Sequence, residues 1–185
     1  MRPAMESEPG ERYRNEAMAF AARPDVSYQV QVRHASAETF EEAKRWNEQV
    51  RGMVGVAVQN DERDVLFIDH ADYGGWVTPG GRVEYGESFR TAAVREVREE
   101  TGVEARVVQP LLVTHFVNRY GDESTDSYFV LFDGEALDPE PAENPGVDGE
   151  NIEAVRWRST VPETLPDDEF VQETIKLVAG HFELQ

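Results

Sequence analysis

Residues 81–103 read GRVEYGESFRTAAVREVREETGV, and the placement of the acids in this stretch decides how the chain is read. Glu96, Glu99 and Glu100 stand at i, i+3 and i+4 of a predicted helix, which sets them on neighbouring positions of one surface. The glycine turn Pro79-Gly80-Gly81 lies just upstream, and Gly102 closes the segment as a helix C-cap would. In an acid-rich chain a Glu-rich helix is ordinarily a solvated face. Like-charge pairs at these spacings cost only about 0.2–0.5 kcal/mol each, so repulsion alone proves no bound cation. Direction is more telling. At about 100° per residue, Phe89, Ala92, Ala93 and Val97 define an apolar sector. Glu96 and Glu100 project into that sector and Glu99 lies at its edge, whereas solvated acids would lie opposite. Inward carboxylates need a partner, because an unpaired buried charge is expensive. Hard divalent cations such as Mg²⁺ take oxygen ligands of this kind.

The segment resembles the Nudix box, and the match is complete. Its slots are filled by Gly81, Glu87, Arg95, Glu96, Val97, Glu99, Glu100, Gly102 and Val103. Seven fixed identities and two aliphatic slots would arise by chance about once in 10⁸ starting positions, so the motif is specific even though it is short. The resemblance implies an α/β/α sandwich with a mixed sheet and the box as loop–helix–loop. It also implies metal-dependent cleavage of the pyrophosphate link of a nucleoside diphosphate joined to another group. Glu96, Glu99 and Glu100 would then supply the metal carboxylates, with the Gly81 carbonyl as a further ligand for Mg²⁺ or Mn²⁺. Arg95 would orient the glutamates. Glu87, at the helix start, suits the positive end of the helix dipole and reads as structural, paired with Arg95.

Composition frames the rest. The chain has 185 residues, a formal charge of −19, no cysteine and only two lysines, Lys44 and Lys176. That length suffices for one domain with a real core. The acid-heavy, lysine-poor balance suggests a salt-adapted, cytoplasmic protein, since salt screens self-repulsion. It argues against nucleic-acid or anionic-membrane binding, both of which need a basic footprint. Without cysteine there are no disulfides and no thiol nucleophile. No apolar run is long enough to span a bilayer, and residues 1–22 do not read as a signal peptide.

Residues 1–50 read as an extension and 51–185 as the hydrolase domain. The first two dozen residues look polar and loosely specified. Val26, Tyr28, Val30 and Val32 then alternate with polar residues as in a strand. Ser36 is placed to N-cap a helix reaching about Val50, with Phe40, Ala43, Trp46 and Val50 near one face. The extension is expected to be a packing layer first; a homodimer element or a wall of a substrate pocket are the alternatives. Val54–Val58 and Val65–Ile68 read as strands joined by a turn at 60–63, and Ala105–Asn118 and Ser127–Phe132 as strands around a turn at 119–126. Pro110 suggests a bulge or break. Residues 138–150 read as an exposed acidic loop, Ile152–Trp157 as a strand, and Pro166 as the start of a last helix.

A loop carboxylate completes the site in several Nudix enzymes, and Glu143, Glu150 and Glu153 are candidates; each is more simply an exposed acid. Arg82 and Arg119 could meet substrate phosphates, and Phe116, Tyr120 and Tyr128 could stack on a base, although strand aromatics are more often core. Tyr120 falls 17 residues beyond Val103, where diadenosine polyphosphate hydrolases of the family tend to carry tyrosine. The substrate is thus expected to be a nucleotide polyphosphate or a modified nucleoside triphosphate. The competing classes are a non-catalytic nucleotide-binding regulator, which could dispense with the acidic triplet, a partner-binding domain, and an isomerase of this fold, which relies on a cysteine this chain lacks.

Overall fold

The computed structural model describes residues 9–49, 52–146 and 151–185. Among them lie four helices: α1 (Pro9–Ala21), α2 (Ala37–Gln49), α3 (Phe89–Thr101) and α4 (Glu169–Phe182). The eight strands are β1 (Ser27–His34), β2 (Gly52–Gln59), β3 (Val65–His70), β4 (Gly75–Val77), β5 (Gly80–Arg82), β6 (Glu104–Tyr120), β7 (Glu123–Asp138) and β8 (Ile152–Arg158). They hydrogen-bond in the order β1-β6-β7-β2-β3-β4, with β5 on β2 and β8 on β3. β1 runs parallel to β6, whereas β3 is antiparallel to β2, β4 and β8. The sheet is therefore mixed, and the fold is of the expected α/β class.

The chain divides into two compact units. One takes the described residues up to Val54 with Arg82–Ala92 and Pro110–Leu131; the other takes Gly55–Gly81, Ala93–Gln109 and Phe132–Gln185.

In the first unit the N-terminal stretch, expected to be loosely specified, is instead the helix α1. Tyr13, Ala17 and Phe20 stand at i, i+4 and i+7, an apolar stripe hidden among charged neighbours. Tyr13 and Phe20 meet the Phe89 ring edge-on, with centroids 6.1 and 6.4 Å away. The Tyr13 hydroxyl donates to the Glu84 carbonyl at 2.9 Å, and a Glu16 carboxylate oxygen accepts from the Phe89 N–H at 3.1 Å. α1 thus holds the start of α3 by both rings and hydrogen bonds. α2 begins as its sequence predicts, with Ser36 Oγ accepting from the Thr39 N–H at 3.2 Å. It buries Phe40 and Asn47, but Trp46 stays exposed; Val50 lies outside the described residues. β1 pairs with β6 from Ser27↔Leu112 to His34↔Arg119, and its apolar residues Tyr28, Val30 and Val32 are exposed.

The two long strands extend beyond the segments expected of them. β6 reaches Tyr120 and β7 starts at Glu123, so the expected turn at 119–126 shrinks to Gly121 and Asp122, with Gly121 at φ +57°. The sheet ladder overrides the weak strand propensity of the polar residues 123–127. Pro110 breaks nothing: β6 runs through it, and β1 joins only from Leu112 onward, so the missing N–H is tolerated.

In the second unit Val56, Ala57, Val58, Val65, Leu66, Phe67 and Ile68 form a core with no more than 1% exposure. The β2–β3 hairpin turns where expected, with Asn60 Oδ1 accepting from the Asp64 N–H at 2.8 Å and Arg63 at φ +69°. Two short strands went unpredicted. The Pro79-Gly80-Gly81 turn leads directly into one of them, β5, and the Pro79 carbonyl accepts from the Val56 N–H at 2.8 Å. The last helix begins after Asp168, whose carboxylate accepts from the Val171 N–H at 2.9 Å, and not at Pro166. An aspartate cap supplies the acceptor that proline cannot.

Candidate functional site

The candidate site is built on the last two turns of α3. Ser88 Oγ accepts from the Thr91 N–H at 3.1 Å and caps the helix start. Gly102 ends it at φ +76°, with its N–H on the Arg98 carbonyl at 2.9 Å. A Cβ there would fall 2.5 Å from that of Ala142, so glycine is required both by conformation and by space.

Between these ends the helix buries Phe89, Ala92, Ala93 and Val97 completely. Glu96 and Glu100 go in with them, at 5% and 3% exposure, while the Glu99 side chain keeps 30%. The two deepest acids are held from different sides. Glu100 Oε2 accepts the Gly80 N–H at 2.7 Å, a charge-assisted bond from β5. Glu96 lies against Gly81 so closely that a Cβ on that glycine would stand 2.5 Å from its carboxyl carbon. Arg95 supplies the positive charge: its Nη1 lies 2.9 Å from Glu96 Oε1 and 2.9 Å from Glu99 Oε2. Gly81, Arg95, Glu96, Glu99 and Glu100 therefore stand together within the second unit.

The donor set suits a hard cation in kind. Three carboxylates offer about four lone-pair sites each, oxygen donors of the kind such a cation takes. Glycine at 81 lets the main chain approach the Glu96 carboxylate where any side chain would collide with it. Even so, among the described residues no three His, Asp or Glu side chains converge at metal-holding distance. Arg95 bridges two of the acids, and a cation would have to draw all three together.

The other sequence candidates make contacts of their own. Arg82 sits over the Trp46 ring, Phe116 lies under the Arg33 guanidinium at 5.2 Å, and Tyr120 tilts against Phe40 at 6.0 Å, all in the first unit. Arg119 is exposed at the end of β6. Tyr128 is buried and stacks on His115 at 4.6 Å. Burial and the nearby Asp126 carboxylate push its hydroxyl up to about 12. Glu143 and Glu153 are exposed, and Glu150 lies outside the described residues. One participant was missed: Gly80, which contributes a backbone N–H and carries no side-chain signal.

The sequence profile of the NUDIX domain matches residues 50–177, which is 128 of the 185 residues. The chain belongs to the Nudix family. An uncharacterized Nudix hydrolase of Bacillus subtilis is 37% identical over 76 residues, covering 40% of this Nudix chain and 46% of its relative. A second Bacillus subtilis protein, provisionally named an 8-oxo-dGTP diphosphatase, is 32% identical over 111 residues, covering 60% and 66%. The chain thus spans less than two thirds of the length of either relative. A crystal structure of a Nudix hydrolase from Nitrosomonas europaea shares the fold at a TM-score of 0.53 and 22% identity, covering 72% of this chain and 73% of that one. Nearly all of the Nudix chain up to α2, Trp46 included, precedes the matched stretch. Among the described residues no helix is long and apolar enough to cross a membrane.

Proposed function

We propose that this Nudix protein is a divalent-metal-dependent pyrophosphohydrolase, acting on a nucleoside diphosphate linked to another moiety, with residues 51–185 as the hydrolase domain. The observation that carries the reading is the burial of Glu96 and Glu100, at 5% and 3% exposure, beside a main chain that only glycine allows so close. Glu96, Glu99, Glu100 and the Gly81 carbonyl would hold Mg²⁺ or Mn²⁺. When bound, the cation would neutralise phosphate charge and lower the pKa of the attacking water. Arg95 fixes the direction of Glu96 and Glu99, and the Gly80 N–H fixes that of Glu100. In the reaction the water oxygen bonds to phosphorus and the bridging P–O bond breaks, its electron pair leaving on the bridging oxygen. The water proton passes to one of the glutamates, acting as general base.

A modified nucleoside triphosphate or a nucleotide polyphosphate is the substrate class this reading favours. The first agrees with the name of one relative, the second with Tyr120. The test is phosphate release from a panel of 8-oxo-dGTP, ordinary nucleoside triphosphates, ADP-ribose and diadenosine polyphosphates, with Mg²⁺ or Mn²⁺ and with chelator. Metal-dependent turnover of at least one member is expected. Nucleotide binding with no hydrolysis of any member would replace the enzyme by the regulator.

A further inference from the structure

β1 is an end strand of the sheet: among the described residues it pairs with β6 on one side and with no strand on the other. The Ala35 N–H donates to the Arg119 carbonyl, so alternation along the ladder turns the main-chain groups of Tyr28, Val30 and Val32 away from β6. The same three residues are 43%, 49% and 44% exposed. Gln29 and Gln31 are partly buried instead, and Gln29 donates to Thr114 Oγ1 at 3.0 Å. β1 thus inverts the usual order of a half-buried strand, with glutamines inward and apolar residues in solvent. Open edges are ordinarily blunted by lysine, proline or a bulge. β1 has none of these, and its register with β6 runs unbroken from Ser27 to His34. No acid lies in Ser27–His34 or in the facing Leu112–Arg119, although one residue in five of the chain is acidic. β1 precedes the stretch 50–177, so membership of the family does not account for it.

The chemistry of this edge selects what covers it. A basic partner would be drawn to the acids elsewhere on the chain, and an unrelated acidic one would be repelled by the formal charge of −19. A second copy brings the same acid-free edge, where two such chains meet with least repulsion. The polarity of Tyr28-Gln29-Val30-Gln31-Val32 also reads the same in both directions, as a twofold interface requires. Laid antiparallel about Val30, two copies of β1 set Val30 against Val30 and Tyr28 against the copy's Val32. In each of these pairs the outward N–H and C=O groups of one strand meet those of the other. Arg33 then faces the copy's Ser27, so no like charges are opposed. We propose that β1 is a dimerisation strand: two copies of the chain join edge to edge, antiparallel about Val30, into one continuous sheet. The extension is then more than a packing layer, whatever the chain hydrolyses.

The experiment uses the full chain in about 1 M NaCl, where the Debye length is about 3 Å and self-repulsion is screened. Sedimentation is expected to show a monomer–dimer equilibrium between about 1 and 100 μM. Val30→Lys sets two ammonium groups against each other on the axis and should weaken the dimer by about tenfold or more. Tyr28→Lys should weaken it as well, and adding Val32→Glu should restore it, because each lysine then faces the copy's glutamate. Within one chain those two positions lie about 13 Å apart along the strand and cannot pair. The chain has no cysteine, so Val30→Cys can bridge only to its counterpart. In the proposed pairing the two α-carbons stand about 5.5 Å apart, within disulfide reach. Under oxidised glutathione Val30→Cys should form covalent dimer about fivefold faster or more than Val32→Cys, which is similarly exposed but at least about 13 Å from its own counterpart. Thermal melts within a few degrees of wild type would exclude unfolding as the cause. A dimer indifferent to Val30→Lys, no rescue by Val32→Glu, or equal cross-linking at 30 and 32 would each overturn the proposal. So would a wild-type chain that stays monomeric throughout, which would leave the edge to a different protein.

Discussion

Helices α2 and α3 are each 13 residues long and both are rich in glutamate, four on α2 and three on α3. On α2 Glu38, Glu41, Glu42 and Glu48 all face solvent. On α3 two of the three are as buried as the aliphatics beside them. Register makes the difference. At about 100° per residue, Glu96 and Glu100 fall about 20° to either side of Phe89, whereas the acids of α2 lie about 80° to 160° away from Phe40. Composition cannot distinguish the two helices; angular position against the apolar stripe does. Acids on a solvated face are held by water. Acids turned inward need designed partners, which on α3 are Arg95 and the main chain of β5.

The largest break between the helices should appear in turnover. Glu100→Gln keeps the shape of the side chain and an acceptor for the Gly80 N–H, but removes the charge. It is expected to lower kcat by about 10²- to 10³-fold, the scale of losing one electrostatic contact to the reacting centre, with the fold intact. Glu42→Gln on α2 should leave the rate unchanged and stability within about 0.5 kcal/mol. Parallel assays and melts of the two variants read the contrast directly. Equal rates in both would mean that burial of the α3 acids serves structure alone.

A smaller effect should follow from Gly81→Ala, which attacks the same acids through the backbone. The new methyl would meet the Glu96 carboxylate at 2.5 Å, so that side chain must move although Arg95 holds it. Overpacking of this kind costs about 1–3 kcal/mol. Displacing a reacting group should slow turnover by about tenfold or more. Gly180→Ala is the counterpart: its Cβ meets nothing within 4 Å, and alanine in a helix should stabilise by about 0.5–1 kcal/mol. Chemical denaturation of both reads opposite signs. Matching signs would show that Glu96 relaxes freely and that the glycine is not needed for the acid.

The same contrast explains what the sequence disclosed. The inward direction of Glu96 and Glu100 was legible because four apolar residues fix the phase of α3. The Ser36 cap, the Asn60 turn and the Gly102 stop were legible because each depends on local chemistry. α1 was not, since its stripe of Tyr13, Ala17 and Phe20 is spread among mostly charged, polar or small neighbours and packs against Phe89. The strands β4 and β5 are 3 residues each, too short for an alternating pattern to register, and β5 is made by β2, a partner distant in sequence. The role of Gly80 lies in a backbone N–H, and the exposure of Trp46 depends on how α2 is seated; neither has a signature in residue type.

Glu16 on α1 lies between the two extremes and gives the subtlest test. It is half-buried, and its carboxylate accepts from the Phe89 N–H at the start of α3. Burial raises its pKa above the ordinary 4.5, outweighing the opposing pull of the Phe89 hydrogen bond and of Arg12 and Arg90. Folding therefore favours the protonated form. The stability it contributes is fully present below about pH 4.5 and is lost as pH rises through the folded value. Glu16→Gln keeps an acceptor for Phe89 without the charge. Its stability relative to wild type should be pH-independent below about pH 4 and should rise between there and neutrality, as followed by denaturant melts across that range. If wild type gains on the variant with rising pH, the hydrogen bond and the arginines dominate over burial, and Glu16 belongs with the partnered acids of α3 and not between the two helices.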